Sequence, residues 1–348
     1  MSTERFIVAG PLDQATGGYQ YDKRIVEGLR SLGRCVEVSE LAGSFPEADD
    51  RAAEALDAAL AAAETDQAII IDGLVLGSQP NVVAKHAYRL RIVALVHHAL
   101  ADEHEPDSPQ YAQFLESERK ALAHAQCVVT TSHYTSRRLS ALGVTAREPA
   151  VIEPGVARRQ PACPTFATPF NLSCVASLIP RKNHLGLLSA LSQISDLDWT
   201  CDLIGAIDRC PSTTAAVQQR IKALGLEERV RLTGPLASDA LDAAYRHSDL
   251  FVLASRFEGY GMVITEALSY GLPIVTTRGG ALSDTLPAGT GLSVEPGNTT
   301  AFANCLRRAM SDHAVFDALA AGAANARDHL NDWKSSIDAF NELLKDLS

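Results

Sequence analysis

Residues 249–278 read DLFVLASRFEGYGMVITEALSYGLPIVTTR and contain a complete strand, loop, helix and second strand. The apolar run 250–254 predicts a buried strand, and Ile264 and Leu268 have the spacing of one helix face. Gly271 and Pro273 predict the end of this helix, because glycine adopts a left-handed turn and proline cannot continue a helix. The apolar run 273–277 predicts the next buried strand. This alternation is typical of a parallel α/β sheet.

The loop and the helix of this stretch each carry a carboxylate, Glu258 and Glu266. Ligands of parallel α/β sheets bind in the loops that follow the strands, and a helix start there favours phosphate. Carboxylates repel phosphate but accept hydrogen bonds from sugar hydroxyls, so a nucleotide sugar would satisfy all these groups. The alternative is that both glutamates are solvated, as exposed glutamates usually are.

The segment EGYGMVITEALSYGLPIV resembles the signature of the retaining glycosyltransferases of family 4, which have the GT-B fold. The matching positions are Glu258, Gly259, Gly261, Glu266, Ala267, Gly271 and Pro273, with Tyr260 where phenylalanine is commoner. The resemblance implies that Glu258 contacts the donor sugar and that Glu266 contacts the ribose. It also implies that the backbone amides between them, at Gly259, Tyr260, Gly261, Met262 and Val263, bind the donor phosphates.

Length and composition restrict the class of protein. A chain of 348 residues exceeds one ordinary core, so two domains are expected. Its hydrophobic content of 46% and charged content of 21% are typical of soluble globular proteins, and a net charge of −11 argues against a nucleic-acid partner. Seven cysteines without a C-x-x-C pair, together with the absence of a signal-peptide pattern, predict a cytoplasmic protein with reduced thiols.

Strands alternate with helices along the whole chain, which predicts two Rossmann-like, doubly wound parallel sheets. The proline-containing segment 156–169 is predicted to link them. We therefore expect an N-terminal domain over residues 1–160 and a C-terminal domain over residues 161–330. The GT-B resemblance implies that the domains face a central cleft, with the acceptor on the first and the donor on the second. It also implies that the last helix, in residues 331–348, packs back on the first domain.

The segment PRKN supplies cations between a predicted strand and a predicted helix. Arg181 can bind two phosphate oxygens at once, and Lys182 adds a compact charge. The alternative is a surface pair of cations. The resembled family has a phosphate-binding lysine in this loop, which favours the functional interpretation. That family also commonly has a glycine and an arginine slightly earlier, where this chain has Ala176 and Ser177.

Candidate residues of the first domain lie at Gly17, Gly18 and His97. The two glycines precede a predicted amphipathic helix, where they either permit close approach of a ligand or only form a turn. His97 ends the strand-like run RIVALVH, at the ligand edge of the sheet. In the resembled family a glycine-rich loop lies against the donor phosphates and a histidine touches the donor sugar. His97 aligns better with that histidine than its rival, His98; a structural histidine is the alternative.

The implied reaction transfers a sugar from a UDP- or GDP-linked donor to an acceptor hydroxyl with retention of configuration. The acceptor would be a glycan, a lipid-linked intermediate or a small molecule, as in cell-envelope glycan, exopolysaccharide or glycolipid synthesis. No metal and no other cofactor is expected, and the D-x-D motif at 196–198 is interpreted as a turn. Peripheral membrane contact through Arg137–Arg138 and Arg158–Arg159 is one expectation. An epimerase acting on nucleotide sugars and a non-catalytic nucleotide-sugar-binding subunit are the alternatives.

Overall fold

The computed structural model describes residues 3–14 and 16–347. The chain divides into two compact units, which we call the first unit (Met1–Gly155 with Asn331–Ser348) and the second unit (Val156–Leu330). Each unit has its own parallel six-stranded sheet within the described residues. The predicted doubly wound α/β class is therefore confirmed.

The sheet of the first unit has the strand order β2-β1-β3-β4-β5-β6, and all its neighbouring strands are parallel. Its strands are β1 (Thr3–Ala9), β2 (Cys35–Leu41), β3 (Ala68–Asp72), β4 (Arg91–Val96), β5 (Cys127–Thr130) and β6 (Ala150–Val151). The helices that connect them are α1 (Gly17–Ser31), α2 (Asp50–Ala61), α3 (Gly73–Leu76), α4 (Pro80–His86), α5 (Pro109–Leu122) and α6 (His133–Ala141). A short 3₁₀ turn, Leu100–Glu103, follows β4. The central strand β3 is buried at every position, as its run of apolar residues predicts.

The sheet of the second unit has the order β12-β11-β10-β7-β8-β9 and is also parallel. Its strands are β7 (Phe170–Val175), β8 (Trp199–Ile204), β9 (Val230–Gly234), β10 (Leu250–Leu253), β11 (Ile274–Thr277) and β12 (Gly291–Val294). Its helices are α7 (His184–Ser192), α8 (Pro211–Ala223), α9 (Ser238–Arg246), α10 (Met262–Ser269), α11 (Leu282–Thr285), α12 (Thr299–Ser311) and α13 (His313–Arg327). A 3₁₀ turn, Pro180–Lys182, follows β7.

The last helix, α14 (Trp333–Asp346), belongs to the first unit and packs along α1. Its apolar stripe is buried most fully at Phe340 and Leu344. The two helices approach so closely that a Cβ atom added at Gly28 would lie 2.3 Å from Cδ1 of Ile337. Among the described residues, none of the helices combines the length and the hydropathy that a membrane span requires.

The close contact between α1 and α14 gives a prediction about stability. Gly28→Ala should lower the free energy of unfolding by about 1–3 kcal/mol, because the added methyl group overpacks the interface. The midpoint of thermal unfolding measures the effect. Glu27→Ala, an exposed change one residue away, should shift the midpoint little. Adding Ile337→Ala to Gly28→Ala should recover part of the loss, and equal midpoints for Gly28→Ala and the unaltered chain would contradict this packing.

Candidate functional site

The second sheet changes direction between β7 and β10. The chain runs from β7 outward to β8 and β9 and then returns to form β10 on the other side of β7, where Leu250 pairs with Leu172. Loops that leave the carboxyl ends of two such strands diverge and open a crevice between them. The loop after β7 carries Arg181 and Lys182, and the loop after β10 carries Glu258. The fold thus brings these residues together although about 76 positions separate them.

Glu258 joins the two loops through a pair of ionic contacts. Lys182 Nζ donates to Glu258 Oε1 at 2.6 Å, and Arg181 Nη1 donates to Oε2 at 2.9 Å. The Ser255 hydroxyl also donates to Oε1, at 2.6 Å. Arg181 Nη1 makes a further hydrogen bond to the carbonyl oxygen of Phe257, at 2.6 Å. We call Arg181, Lys182 and Glu258 the ion triad.

The carboxylate of the ion triad is buried. Glu258 is 5% exposed, so the alternative that it is a solvated loop residue is wrong. Burial alone would raise the pKa of Glu258, but the charges of Lys182 and Arg181 outweigh it and hold the pKa at about 2. With two cations and one carboxylate, the cluster retains a net positive charge, which suits a diphosphate.

Backbone hydrogen bonds fix the position of Glu258. Its amide donates to the carbonyl oxygen of Gly279, and its own carbonyl oxygen accepts from the amide of Ala281 at 2.8 Å. On the other side of the loop, the amide of Arg256 donates to the carbonyl oxygen of Arg181 at 2.8 Å. Gly279 and Gly280, the glycine pair after β11, therefore support the Glu258 loop.

Helix α10 begins directly after this loop. Gly261 precedes it with φ +93°, a left-handed conformation that residues other than glycine rarely adopt. Because Gly261 has no side chain, the helix starts without a side-chain cap, and the amides of Met262 and Val263 belong to an uncapped first turn. Such a helix start favours an anion. Gly259 and Tyr260 form the preceding loop, where the Thr285 hydroxyl donates to the Tyr260 carbonyl oxygen.

Glu266 lies in the second turn of α10 and is half-buried. Its Oε2 accepts a hydrogen bond from the Tyr245 hydroxyl at 3.0 Å. Burial raises the pKa of Glu266, and the hydrogen bond from Tyr245 opposes this rise. The two glutamates thus differ: Glu258 is neutralised by cations, whereas Glu266 is held by a neutral donor.

A second cluster lies where the first sheet changes direction, between β1 and β3. His97, just after β4, contacts two carboxylates through Nε2. Asp22 Oδ1, on α1, lies 3.0 Å from that nitrogen, and Asp72 Oδ2, at the end of β3, lies 3.3 Å from it. The ring of Tyr21 packs edge-on against the imidazole with centroids 5.6 Å apart. Sequence analysis identified His97 but neither aspartate.

The carboxylates keep His97 charged. Burial opposes a charge on the ring, but Asp22 and then Asp72 outweigh burial and raise the pKa of His97 to about 10. Burial raises the pKa of Asp22 to about 6, against the attraction of His97. The candidate ligand atoms of these three residues all lie within 4.8 Å of one another, a spacing that a metal ion could also use. Nε2 faces both carboxylates at hydrogen-bond distance, which fits an imidazolium N–H better than a metal.

Gly17 and Gly18 lie inside α1 and not before it. Gly17 is the first residue of the helix, because the preceding Thr16 has an extended backbone with φ −127°. A Cβ atom at Gly18 would lie 3.2 Å from Cδ2 of His97, so Gly18 allows the histidine ring to approach the helix. His98 is separate from this cluster, with its Nε2 2.9 Å from Glu103 Oε1 in the turn that follows.

The arginine pairs expected to face a membrane are partly neutralised. Arg138 binds both carboxylate oxygens of Asp102, and Arg158 lies 3.5 Å from Asp328. Each ion pair leaves less positive charge for anionic lipids.

The aspartates at 196–198 lie in and directly after a turn. Asp196 pairs with Arg307 at 2.6 Å, as expected for a structural segment.

The family match to known proteins lies within the second unit. Residues 169–312 match the family model described as glycosyl transferases group 1. This region therefore resembles a group 1 glycosyltransferase domain. A mannosylfructose-phosphate synthase of Agrobacterium fabrum is 46% identical over 66 residues, which are 19% of this chain and 14% of the relative. A D-inositol 3-phosphate glycosyltransferase of Rhodococcus opacus is 30% identical over 174 residues, 48% of this chain and 39% of the relative. The matches thus span less than half the length of these relatives.

Solved structures resemble the whole chain. A sucrose-phosphate synthase from Thermosynechococcus elongatus superimposes with a TM-score of 0.84 at 20% identity, covering 100% of this chain and 99% of that structure. The HepE protein of Anabaena, in complex with UDP and glucose, gives a TM-score of 0.77 at 20% identity, covering 99% and 100%. These neighbours confirm the predicted GT-B fold.

The ion triad predicts how stability depends on pH. The pKa of Glu258 is lowered in the folded state, so its contribution is complete above its ordinary value of 4.5 and is lost as pH falls toward 2. Glu258→Gln should therefore cost about 3 kcal/mol at pH 7 and progressively less below pH 4.5. Thermal unfolding across this pH range measures the difference. Glu295→Gln, which breaks an exposed pair with Arg278, is the matched control and should cost little. A pH-independent cost for Glu258→Gln would contradict the account.

The His97 cluster predicts an unusual titration. His97 should remain protonated throughout the neutral range, and Asp22→Asn should lower its pKa because one carboxylate is removed. Titration of the imidazole resonances by NMR measures both values. His313, an exposed histidine, serves as the reference ring. A pKa near 6.5 for His97 in the unaltered protein would show that the carboxylates do not hold the charge.

Proposed function

We propose that this protein is a retaining glycosyltransferase that moves a sugar from a nucleoside diphosphate sugar to an acceptor hydroxyl. The observation that carries the proposal is the ion triad beside the uncapped start of α10, within the group 1 domain. Cations, helix amides and a carboxylate converge at the switch point of the sheet, where a diphosphate and a sugar can bind side by side.

In this proposal the leaving diphosphate binds Arg181 and Lys182 beside Glu258. Arg181 and Lys182 lie in place before the donor arrives because Glu258 holds them. Fixed cations stabilise the charge that grows on the leaving phosphate without reorganising during the reaction. The amides of Met262 and Val263, with the loop at Gly259 and Tyr260, would add hydrogen bonds to the same oxygens.

We assign the remaining roles to the two glutamates and to the first unit. Glu258 would accept hydrogen bonds from hydroxyls of the donor sugar, and Glu266 from the ribose hydroxyls. We assign the acceptor to the first unit, with His97 near the reacting sugar and Gly17 and Gly18, at the start of α1, near the phosphates. A glycan, a lipid-linked intermediate or a small molecule would serve as acceptor. We propose a metal-independent reaction, since Arg181 and Lys182 supply the cations for the diphosphate.

Removal of one cation should test the proposal. Lys182→Ala should lower turnover of the donor by roughly 100-fold or more, the scale seen when one transition-state donor is lost. Release of nucleoside diphosphate from a panel of UDP- and GDP-sugars measures the rate, with thermal unfolding to verify the fold. Arg256→Ala removes an exposed cation from the neighbouring loop, which carries Glu258, and should leave turnover nearly unchanged.

Several outcomes separate the proposal from its alternatives. Near-normal turnover in Lys182→Ala would overturn the assignment of the site. A new sugar nucleotide formed from donor alone, without acceptor, would indicate an epimerase. Donor binding without any turnover, over a broad set of acceptors, would indicate a non-catalytic subunit. An inverted anomeric configuration in the product would overturn retention, and loss of activity with a chelator would overturn metal independence.

A further inference from the structure

We propose that Tyr245 is a positioning residue that orients the carboxylate of Glu266 for the ribose of the donor, and this inference rests on the function proposed above. Tyr245 lies near the end of α9, outside the signature that contains both glutamates. Its hydroxyl donates to Glu266 Oε2 at 3.0 Å. A ligand hydroxyl would then bond to Oε1.

The ring of Tyr245 is firmly held. It is 2% exposed and stacks on Tyr270 with centroids 4.8 Å apart and an angle of 15° between the ring planes. It also stacks on Phe251 of β10 at 6.0 Å. The strand that leads into the Glu258 loop therefore supports the ring that orients Glu266. With the ring fixed, the direction of its O–H group is largely fixed too.

The second ring of the stack has a different hydrogen-bond partner. The Tyr270 hydroxyl donates to Asp242 Oδ1 at 2.9 Å, and Arg246 Nε donates to Oδ2 of the same aspartate at 2.8 Å. Tyr245 and Tyr270 thus share a stack, but the hydroxyl of Tyr245 alone of the two bonds to Glu266. This difference provides a matched control.

The half-buried carboxylate of Glu266 is stabilised by such a donor. Burial disfavours the charged form of Glu266, and a hydrogen bond to the carboxylate favours it. Burial also raises the pKa of Tyr245, so its hydroxyl remains a donor at any working pH. The phenol therefore favours the ionised form of Glu266 and orients it, and an oriented carboxylate discriminates ligands that have ribose hydroxyls from those that lack them.

The experiment compares nucleotides with and without ribose hydroxyls. Calorimetry would give the affinities of UDP, GDP and ADP and of their 2′,3′-dideoxy counterparts for the unaltered chain and for Tyr245→Phe. The unaltered chain should prefer the ribose form of its nucleotide. Tyr245→Phe keeps the ring and its stack, and it should reduce this preference roughly tenfold, the value of one hydrogen bond to a charged group. Affinity for the dideoxy form should change little.

Two further variants make the test specific. Tyr270→Phe makes the same chemical change in the neighbouring ring and should keep the preference. In a Glu266→Ala background, where the preference should already be lost, adding Tyr245→Phe should change nothing more. An unchanged preference in Tyr245→Phe, or an equal loss of affinity for both nucleotide forms, would overturn the inference while leaving the proposed function intact. Failure of the unaltered chain to bind any of the three nucleotides would overturn both.

Discussion

The candidate site of the second unit depends on the ion pairs of Glu258, a buried carboxylate that must remain charged. An ionised group taken out of water is stable only when charges of opposite sign and hydrogen bonds compensate for the lost hydration. Glu258 meets this requirement with one cation on each carboxylate oxygen. The same contacts hold Arg181 and Lys182 at the crevice, so an interaction that stabilises the loops also prepares a site for a diphosphate.

The same feature of topology brings polar residues together in both sheets. In each sheet the chain reverses direction beside its first strand, and the charged groups lie near that point, on the ends of strands and on the segments that follow them. The second unit collects two cations around a carboxylate. The first unit collects two carboxylates around a histidine, His97. Opposite charge patterns therefore arise from the same topology, because the loops and not the sheets determine the chemistry.

Sequence analysis predicted the fold and the residues after each strand but not the pairing between loops. The alternation of apolar strands and amphipathic helices is a local pattern, so it is readable along the chain. The partner of Glu258 depends on strand order, which no local pattern reveals. Asp22 and Tyr245 were missed because each lies within a helix that reads as ordinary core packing. Asp72, at the end of a fully buried strand, carried a readable signal.

The most direct test of the central claim is thermal stabilisation of the purified protein by a panel of UDP-, GDP- and ADP-sugars. A ligand that binds the folded state raises the unfolding temperature by an amount that grows with the logarithm of the ratio of its concentration to its Kd. The account predicts a clear shift with one donor, and loss of that shift in a variant that lacks Lys182. No shift with any donor would mean that the ion triad only stabilises the loops, and the glycosyltransferase proposal would fall.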